Sequence, residues 1–230
     1  MRIELITFDL DDTLWPQREL ILEADRRMRA WIDDQAPATF TALTPEENRA
    51  IRNDVATARP ELLTDLSALR IETMTRAFQH CGLPEARARE LAGEAFKVFF
   101  AARNEVVYYD DVEPMFARLS EREVTLGSLS NGNADPHLTG LHRHVDFHFS
   151  SADVGAHKPD PAMFQAALAH SGARADGALH VGDSVEADVL GALGAGYRAV
   201  WLNRNDEPPP PELPAEVPVI TTLLQVRELI

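Results

Sequence analysis

Three carboxylates, Asp9, Asp11 and Asp12, stand close together directly after the apolar run Ile3 to Phe8. A carboxylate at a strand end can serve as nucleophile, proton carrier or ligand of a hard cation. Acidic residues there are also ordinary turn formers, so the cluster gains meaning only from what accompanies it. Ser130-Asn131-Gly132-Asn133 follows a second apolar run, Val124 to Leu129, and Gly182-Asp183-Ser184 follows a third, Ala178 to Val181. Lys158, in Gly155-Ala156-His157-Lys158-Pro159, stands just before a helical segment; taken alone it reads as a solvent-facing lysine. In open α/β sheets, ligands bind beyond the carboxyl ends of parallel strands. Residues 9, 130 and 183 can therefore meet in one crevice despite their separation in sequence.

The elements that must position these groups are legible as alternation. Short β-prone runs recur at Ile3 to Phe8, Val124 to Leu129, Phe147 to Phe149, Ala178 to Val181 and Arg198 to Leu202, with helix-length segments between them. Pro161 to His170 follows Asp160 as a potential N-cap, and Glu186 to Ala195 stops at Gly196. The pattern predicts an α/β fold with a Rossmann-like parallel sheet covered on both faces. Residues 15–109 differ in character and predict an inserted helical bundle, with residues 1–14 and 110–230 forming the core. Its four expected helices cover Arg18 to Gln35, a second opening at Thr44-Pro45-Glu46-Glu47 with capping-box spacing, Leu62 to His80, and a fourth after Pro84. In the fourth, Leu91, Ala95, Val98 and Phe99 form an apolar stripe. Asn203 to Pro218, with four successive prolines at 208–211, predicts a stiff surface connection before a last short strand and helix in Val219 to Ile230.

Composition limits the function. The 230 residues carry Lys+Arg 22 against Asp+Glu 37, a formal net charge of −15, with no basic run, which argues against nucleic acid as a partner. No apolar stretch approaches the ~18 residues that a membrane span needs, and Met1 to Ile6 lacks the apolar core of a signal peptide, so a soluble cytoplasmic protein is expected. Cys81 is the single cysteine, which rules out an intrachain disulfide and a cysteine-built zinc site. If the substrate is anionic, local positive charge must come from a few side chains or a metal.

In these features the chain resembles the haloacid dehalogenase superfamily, specifically its phosphatases. The resemblance rests on Asp-x-Asp-x-Thr at Asp9, Asp11 and Thr13, Ser130, Lys158, and Gly-Asp-x-x-x-x-Asp at Gly182, Asp183 and Asp188, in that order. The long gap between Thr13 and Ser130 puts the insertion where this superfamily carries a helical cap. The resemblance implies hydrolysis of a phosphomonoester, with Asp9 as nucleophile, Asp11 as acid and then base, and Lys158 offsetting charge. It implies phosphoryl contacts from Ser130, with Asn131 and Thr13 as further substrate-side residues. Mg²⁺ would be held by Asp9, the Asp11 backbone carbonyl and Asp183, with Asp188 orienting Lys158 or metal-bound water. Phe8 to Leu14, Ala58 to Leu62 and Ser130 to Pro136 are similar to the bacterial phosphatases of flavin mononucleotide and of 5-amino-6-(5-phospho-D-ribitylamino)uracil. That similarity implies a small phosphorylated metabolite as substrate; the place of Trp15, Tyr108 and Arg18 beside the ends of the insertion suggests that Trp15 or Tyr108 stacks on a flavin or pyrimidine ring, with Arg18 contacting its polar atoms.

Other readings stay open. A phosphomutase has the same core and a cap, a metal-independent 2-haloacid dehalogenase has the same fold, and a catalytically silent binding module could retain it. Dehalogenating relatives lack the acid/base carboxylate and work without metal, so Asp11 and Asp183 favour phosphate chemistry. His137, His142, His144 and His148 suggest a zinc cluster, but their spacing is unconvincing and surface imidazoles are the expectation.

Overall fold

The computed structural model describes residues 2–36 and 43–230, and the chain divides into two compact units, Met1–Gln17 with Val107–Ile230, and Arg18–Val106. The first unit is built on a six-stranded sheet with β1 (Leu5–Phe8), β2 (Thr125–Ser130), β3 (Phe147–Ser150), β4 (Ala178–Gly182), β5 (Arg198–Leu202) and β6 (Val219–Ile220). Their order is β3-β2-β1-β4-β5-β6, and every pairing is parallel. Central β1 is buried at all four positions, as expected for a strand covered on both faces. Order reverses at β1, and its register sets Phe8 opposite both Ser128 and Val181, so Asp9, Ser130 and Gly182 end at one edge.

Helix α6 (Ala162–Ser171) covers one face, where Met163, Phe164 and Ala167 pack in a cluster with Leu5, Leu129, Ala178 and Trp201. Helix α5 (Val112–Leu119), absent from the sequence expectation, sets Phe116 edge-on to Phe8 at 5.5 Å. The interval expected as one helix, Glu186 to Ala195, is a wide π turn over Val185–Leu190 running into a single α turn, Gly191–Gly194. Ser184 causes the difference: its carbonyl accepts both Asp188 N–H at 3.0 Å and Val189 N–H at 3.2 Å, and its side chain caps Ala187 N. The proline segment is pinned rather than extended, with Leu213 N–H on Pro210 O, Val217 N–H on Pro214 O and Val217 buried. The last element is a 3₁₀ stretch, Leu223–Leu229, rather than an α-helix.

In the second unit the helices are α1 (Gln17–Gln35), α2 (Pro45–Ala58), α3 (Leu66–His80) and α4 (Glu85–Arg103). Thr44 and Glu47 form the expected capping box. The expected third helix is divided: Pro60–Thr64 forms a 3₁₀ turn, and Asp65 starts α3 by accepting Ala68 N–H at 2.9 Å. Leu91, Ala95 and Phe99 of α4 are buried in a cluster with Ala24, Met28, Ile32 and Phe78, whereas Val98 is half-buried and lies outside that cluster. Among the described residues no helix is long and apolar enough to cross a membrane.

Candidate active site

Asp9 is the first residue beyond β1, and its N–H continues the ladder to Val181 O at 2.9 Å. Its carboxylate is nearly buried and accepts from Lys158 Nζ at 2.7 Å through Oδ1. Lys158 is only 3% exposed, and its ammonium also donates to Asp188 Oδ1 at 2.6 Å and Leu129 O at 2.6 Å, which matches its three donors. The solvent-facing reading of this lysine is therefore wrong. Asn131 fixes its backbone twice, accepting Lys158 N–H at 2.7 Å and donating to Lys158 O at 2.9 Å. Both amide atoms of Asn131 thus take part in positioning the lysine.

The other acids are held individually. Asp188 takes Lys158 and His180 Nε2 (3.2 Å) on Oδ1 and Ser184 N–H (3.0 Å) on Oδ2. Asp183 accepts the Thr13 hydroxyl at 3.2 Å. Thr13 is fully buried, and through this bond it supports Asp183. Asp11 accepts the indole N–H of Trp15 at 2.7 Å. Asp12 adopts φ 62, a left-handed conformation that Asp tolerates better than most residues, and accepts Gln17 N–H at 2.8 Å where α1 begins. Ser130 ends β2, almost wholly buried, its Oγ accepting Gly132 N–H at 2.9 Å.

Electrostatics follow from three acids and one lysine in a water-poor place. Burial raises Asp9 well above the ordinary carboxylate range, and the charges of Asp188 and Asp183 push the same way against Lys158. Asp183 is pushed up to about 7 by burial, then by Asp188 and Asp12. Asp188 is held low: burial alone would raise it, but Lys158 and the His180 hydrogen bond outweigh that. Lys158 is held above its ordinary value by Asp188 and Asp9, although burial opposes this. Asp9, Asp183 and Asp188 can each offer an oxygen within 4.8 Å of the others. This hard-oxygen donor set, with more acid than base, fits a divalent cation such as Mg²⁺.

Two supporting residues escaped the sequence reading. His180 lies within β4, opposite Thr7 in register; its Nδ1 pairs with Thr7 Oγ1 at 2.8 Å, and burial disfavours its charged form. The acceptor-only Asp188 carboxylate accepts from Nε2–H, so Nδ1 accepts from the Thr7 hydroxyl. Arg204 donates to Thr13 O at 2.7 Å, forms a two-pronged ion pair with Asp111 at 3.0 Å, and stacks on Tyr109 at 4.0 Å. Trp15 is 0% exposed and lies 5.7 Å from the Tyr108 ring, which corrects the expectation that its ring is available for stacking on a ligand. Among the described residues the four histidines form no metal-holding group. His137 stacks on His142 at 4.6 Å, His144 on Phe116 at 4.8 Å, and His148 pairs with Ser128 Oγ at 2.8 Å.

Comparison with known proteins gives a consistent picture. A family model for haloacid dehalogenase-like hydrolases matches residues 3–196. The 5-amino-6-(5-phospho-D-ribitylamino)uracil phosphatase YigB of Escherichia coli (strain K12) is 30% identical over 201 residues, covering 87% of this chain and 84% of that protein. A crystal structure described as a 2-haloacid dehalogenase from Pseudomonas syringae pv. Tomato DC3000 superposes with TM-score 0.93 at 35% identity, covering 99% of this chain and 97% of that one. The Bacillus subtilis HAD-hydrolase YfnB, crystallised with magnesium, shares the fold at TM-score 0.64 and 21% identity, covering 100% and 99% of the two chains.

Proposed function

We propose, from the premise that the chain belongs to the haloacid dehalogenase-like hydrolases and is a phosphatase of that superfamily, that it hydrolyses small phosphomonoesters through an aspartyl-phosphate on Asp9. The observation that carries this reading is the buried Asp9–Lys158–Asp188 arrangement, in which one lysine fixes a carboxylate at the sheet's switch point. With Oδ1 of Asp9 tied to Lys158, Oδ2 is the oxygen assigned to attack phosphorus. As that bond forms, the ester P–O bond breaks and Asp11 gives its proton to the leaving alkoxide. The Asp11 carboxylate then takes a proton from water as the water oxygen attacks phosphorus and the Asp9 Oδ2–P bond breaks, releasing phosphate and regenerating the Asp9 carboxylate and protonated Asp11. Ser130 and the neighbouring backbone are assigned the phosphoryl oxygens, and Lys158 keeps its charge throughout. Mg²⁺, held by Asp9, Asp183 and the Asp11 carbonyl, would supply positive charge against the carboxylates and the phosphoryl group.

The YigB relationship supports flavin mononucleotide or a riboflavin-pathway phosphate as candidate substrates, with the helical insert assigned the choice among metabolites. The test is a metabolite panel with Mg²⁺ that includes FMN, 5-amino-6-(5-phospho-D-ribitylamino)uracil, sugar phosphates and nucleotides, run on wild type and Asp9→Asn. Phosphate release by wild type and its loss in the variant are expected; equal release by both would refute the mechanism. The Pseudomonas syringae likeness favours a second reading, 2-haloacid dehalogenation, for which halide release from 2-chloropropionate in EDTA is the discriminating result.

A further inference from the structure

The loop after β1 is closed by Trp15 at two levels. In the backbone, Asp12 N–H donates to Trp15 O at 2.8 Å, Leu14 N–H donates to Leu10 O at 2.7 Å, and Asp11 and Trp15 form an isolated bridge. In the side chains, the Trp15 indole N–H meets Asp11 Oδ1 at 2.7 Å. The indole is wholly buried beside Tyr108, whose hydroxyl donates to Thr139 O at 3.1 Å, so packing fixes the ring that carries this donor. A buried Trp N–H needs an acceptor, and here the acceptor is a partly exposed acid two residues from the nucleophile.

We infer that Trp15 is a positioning residue for proton transfer: its indole N–H fixes the Asp11 carboxyl and assigns the mobile proton to Oδ2. The inference rests on the phosphatase reading above and deepens it. The chemical reason is that indole nitrogen only donates. In either protonation state the oxygen facing Trp15 accepts, and because the carbonyl oxygen of a protonated carboxyl is a better acceptor than its hydroxyl, the indole N–H at 2.7 Å favours the tautomer with the carbonyl at Oδ1 and the proton on Oδ2. Oδ2 then hands that proton to the leaving group, and it is Oδ2 that takes the proton from water in the second step. One fixed oxygen also removes rotational freedom from a short side chain that must reach the leaving oxygen in a particular direction. The sequence showed this residue only as a bulky aromatic, because nothing in Asp11-Asp12-Thr13-Leu14-Trp15 announces a side-chain bond across the loop.

Trp15→Phe retains an aromatic ring and removes the donor, and incorporation of β-(3-benzothienyl)alanine at position 15 replaces N–H by sulfur with almost unchanged shape. The readout is kcat/KM, which covers the chemistry up to formation of the phosphoenzyme, for an alkyl phosphate and for p-nitrophenyl phosphate. An alkoxide requires protonation as it leaves, whereas p-nitrophenolate leaves unaided. The expected result in both variants is a loss of about 10- to 100-fold on the alkyl phosphate and at most about threefold on p-nitrophenyl phosphate. In an Asp11→Asn background, removing the indole donor is expected to add no further leaving-group dependence. Equal losses on the two substrates, or no loss with the benzothienyl side chain, would overturn the inference while leaving wild-type phosphatase activity intact. Failure of wild type to hydrolyse either phosphate would overturn the phosphatase reading, and this inference with it.

Discussion

Asp183 makes the metal-free protein lose stability as pH rises through the neutral range. Its carboxyl is held up to about 7 by burial and by the charges of Asp188 and Asp12, against an ordinary value of 3.8. Between those two values the unfolded chain has released this proton and the folded chain keeps it, so the native state binds more protons and its stability falls with pH. Above about 7 both states are ionised and the loss is complete. Across pH 5 to 7.5 the linkage amounts to about 2.5 kcal/mol as an upper figure. For a chain of this size that corresponds to about 5–10 °C in Tm. The assay is thermal or urea unfolding in EDTA, comparing wild type with Asp183→Asn, so that titrations common to both cancel. Asp183→Asn is expected to gain on wild type by that amount as pH rises from 5 to 7.5. Mg²⁺ is expected to restore wild-type stability at pH 7.5 and to do little for the variant, because the cation requires ionised carboxylates. Parallel curves for the two proteins in EDTA would refute the reasoning about this cluster.

Further outcomes follow from single contacts. A Cβ at Gly182 would fall on the Asp188 carboxyl, so Gly182→Ala is expected to shift that acid from Lys158 and lower kcat by about 100-fold, with the far-UV spectrum unchanged. Arg204→Lys loses the two-pronged pair with Asp111 and the stacking on Tyr109, and is expected to cost about 1–3 kcal/mol in urea unfolding. Thr44→Ala removes the capping box of α2 and is expected to cost about 1 kcal/mol while leaving kcat/KM unchanged.

Much of the core could be read from sequence because buried parallel strands leave uninterrupted apolar runs. Val124 to Leu129 and Ala178 to Val181 each lie within a residue of an observed strand, and the polar residues that stop them stand at the site. Lys158 was legible as a motif but not as a buried residue, since the partners of its ammonium lie 29 residues or more away in sequence and its surroundings depend on the sheet. His180 was hidden inside an apolar strand run, where nothing distinguishes a packed imidazole from one that holds Asp188. Arg204 was hidden by distance: its contact with Thr13 spans 191 positions. Trp15 was close enough to see, yet a four-residue spacing outside a helix carries no rule that pairs side chains. The π turn at Val185–Leu190 escaped because helix periodicity cannot register the extra residue that Ser184 admits.

The central claim is that Asp9 carries the phosphoryl group, and capture of that intermediate tests it most directly. Asp11→Asn with p-nitrophenyl phosphate and Mg²⁺ is expected to form the phosphoenzyme, because this leaving group needs no acid, and to hydrolyse it slowly for want of a base. A stoichiometric burst of nitrophenolate, followed by acid quench and borohydride reduction, should yield homoserine at position 9 in the peptide map. Turnover with no burst and an unmodified Asp9, or reduction at a different carboxylate, would contradict the account.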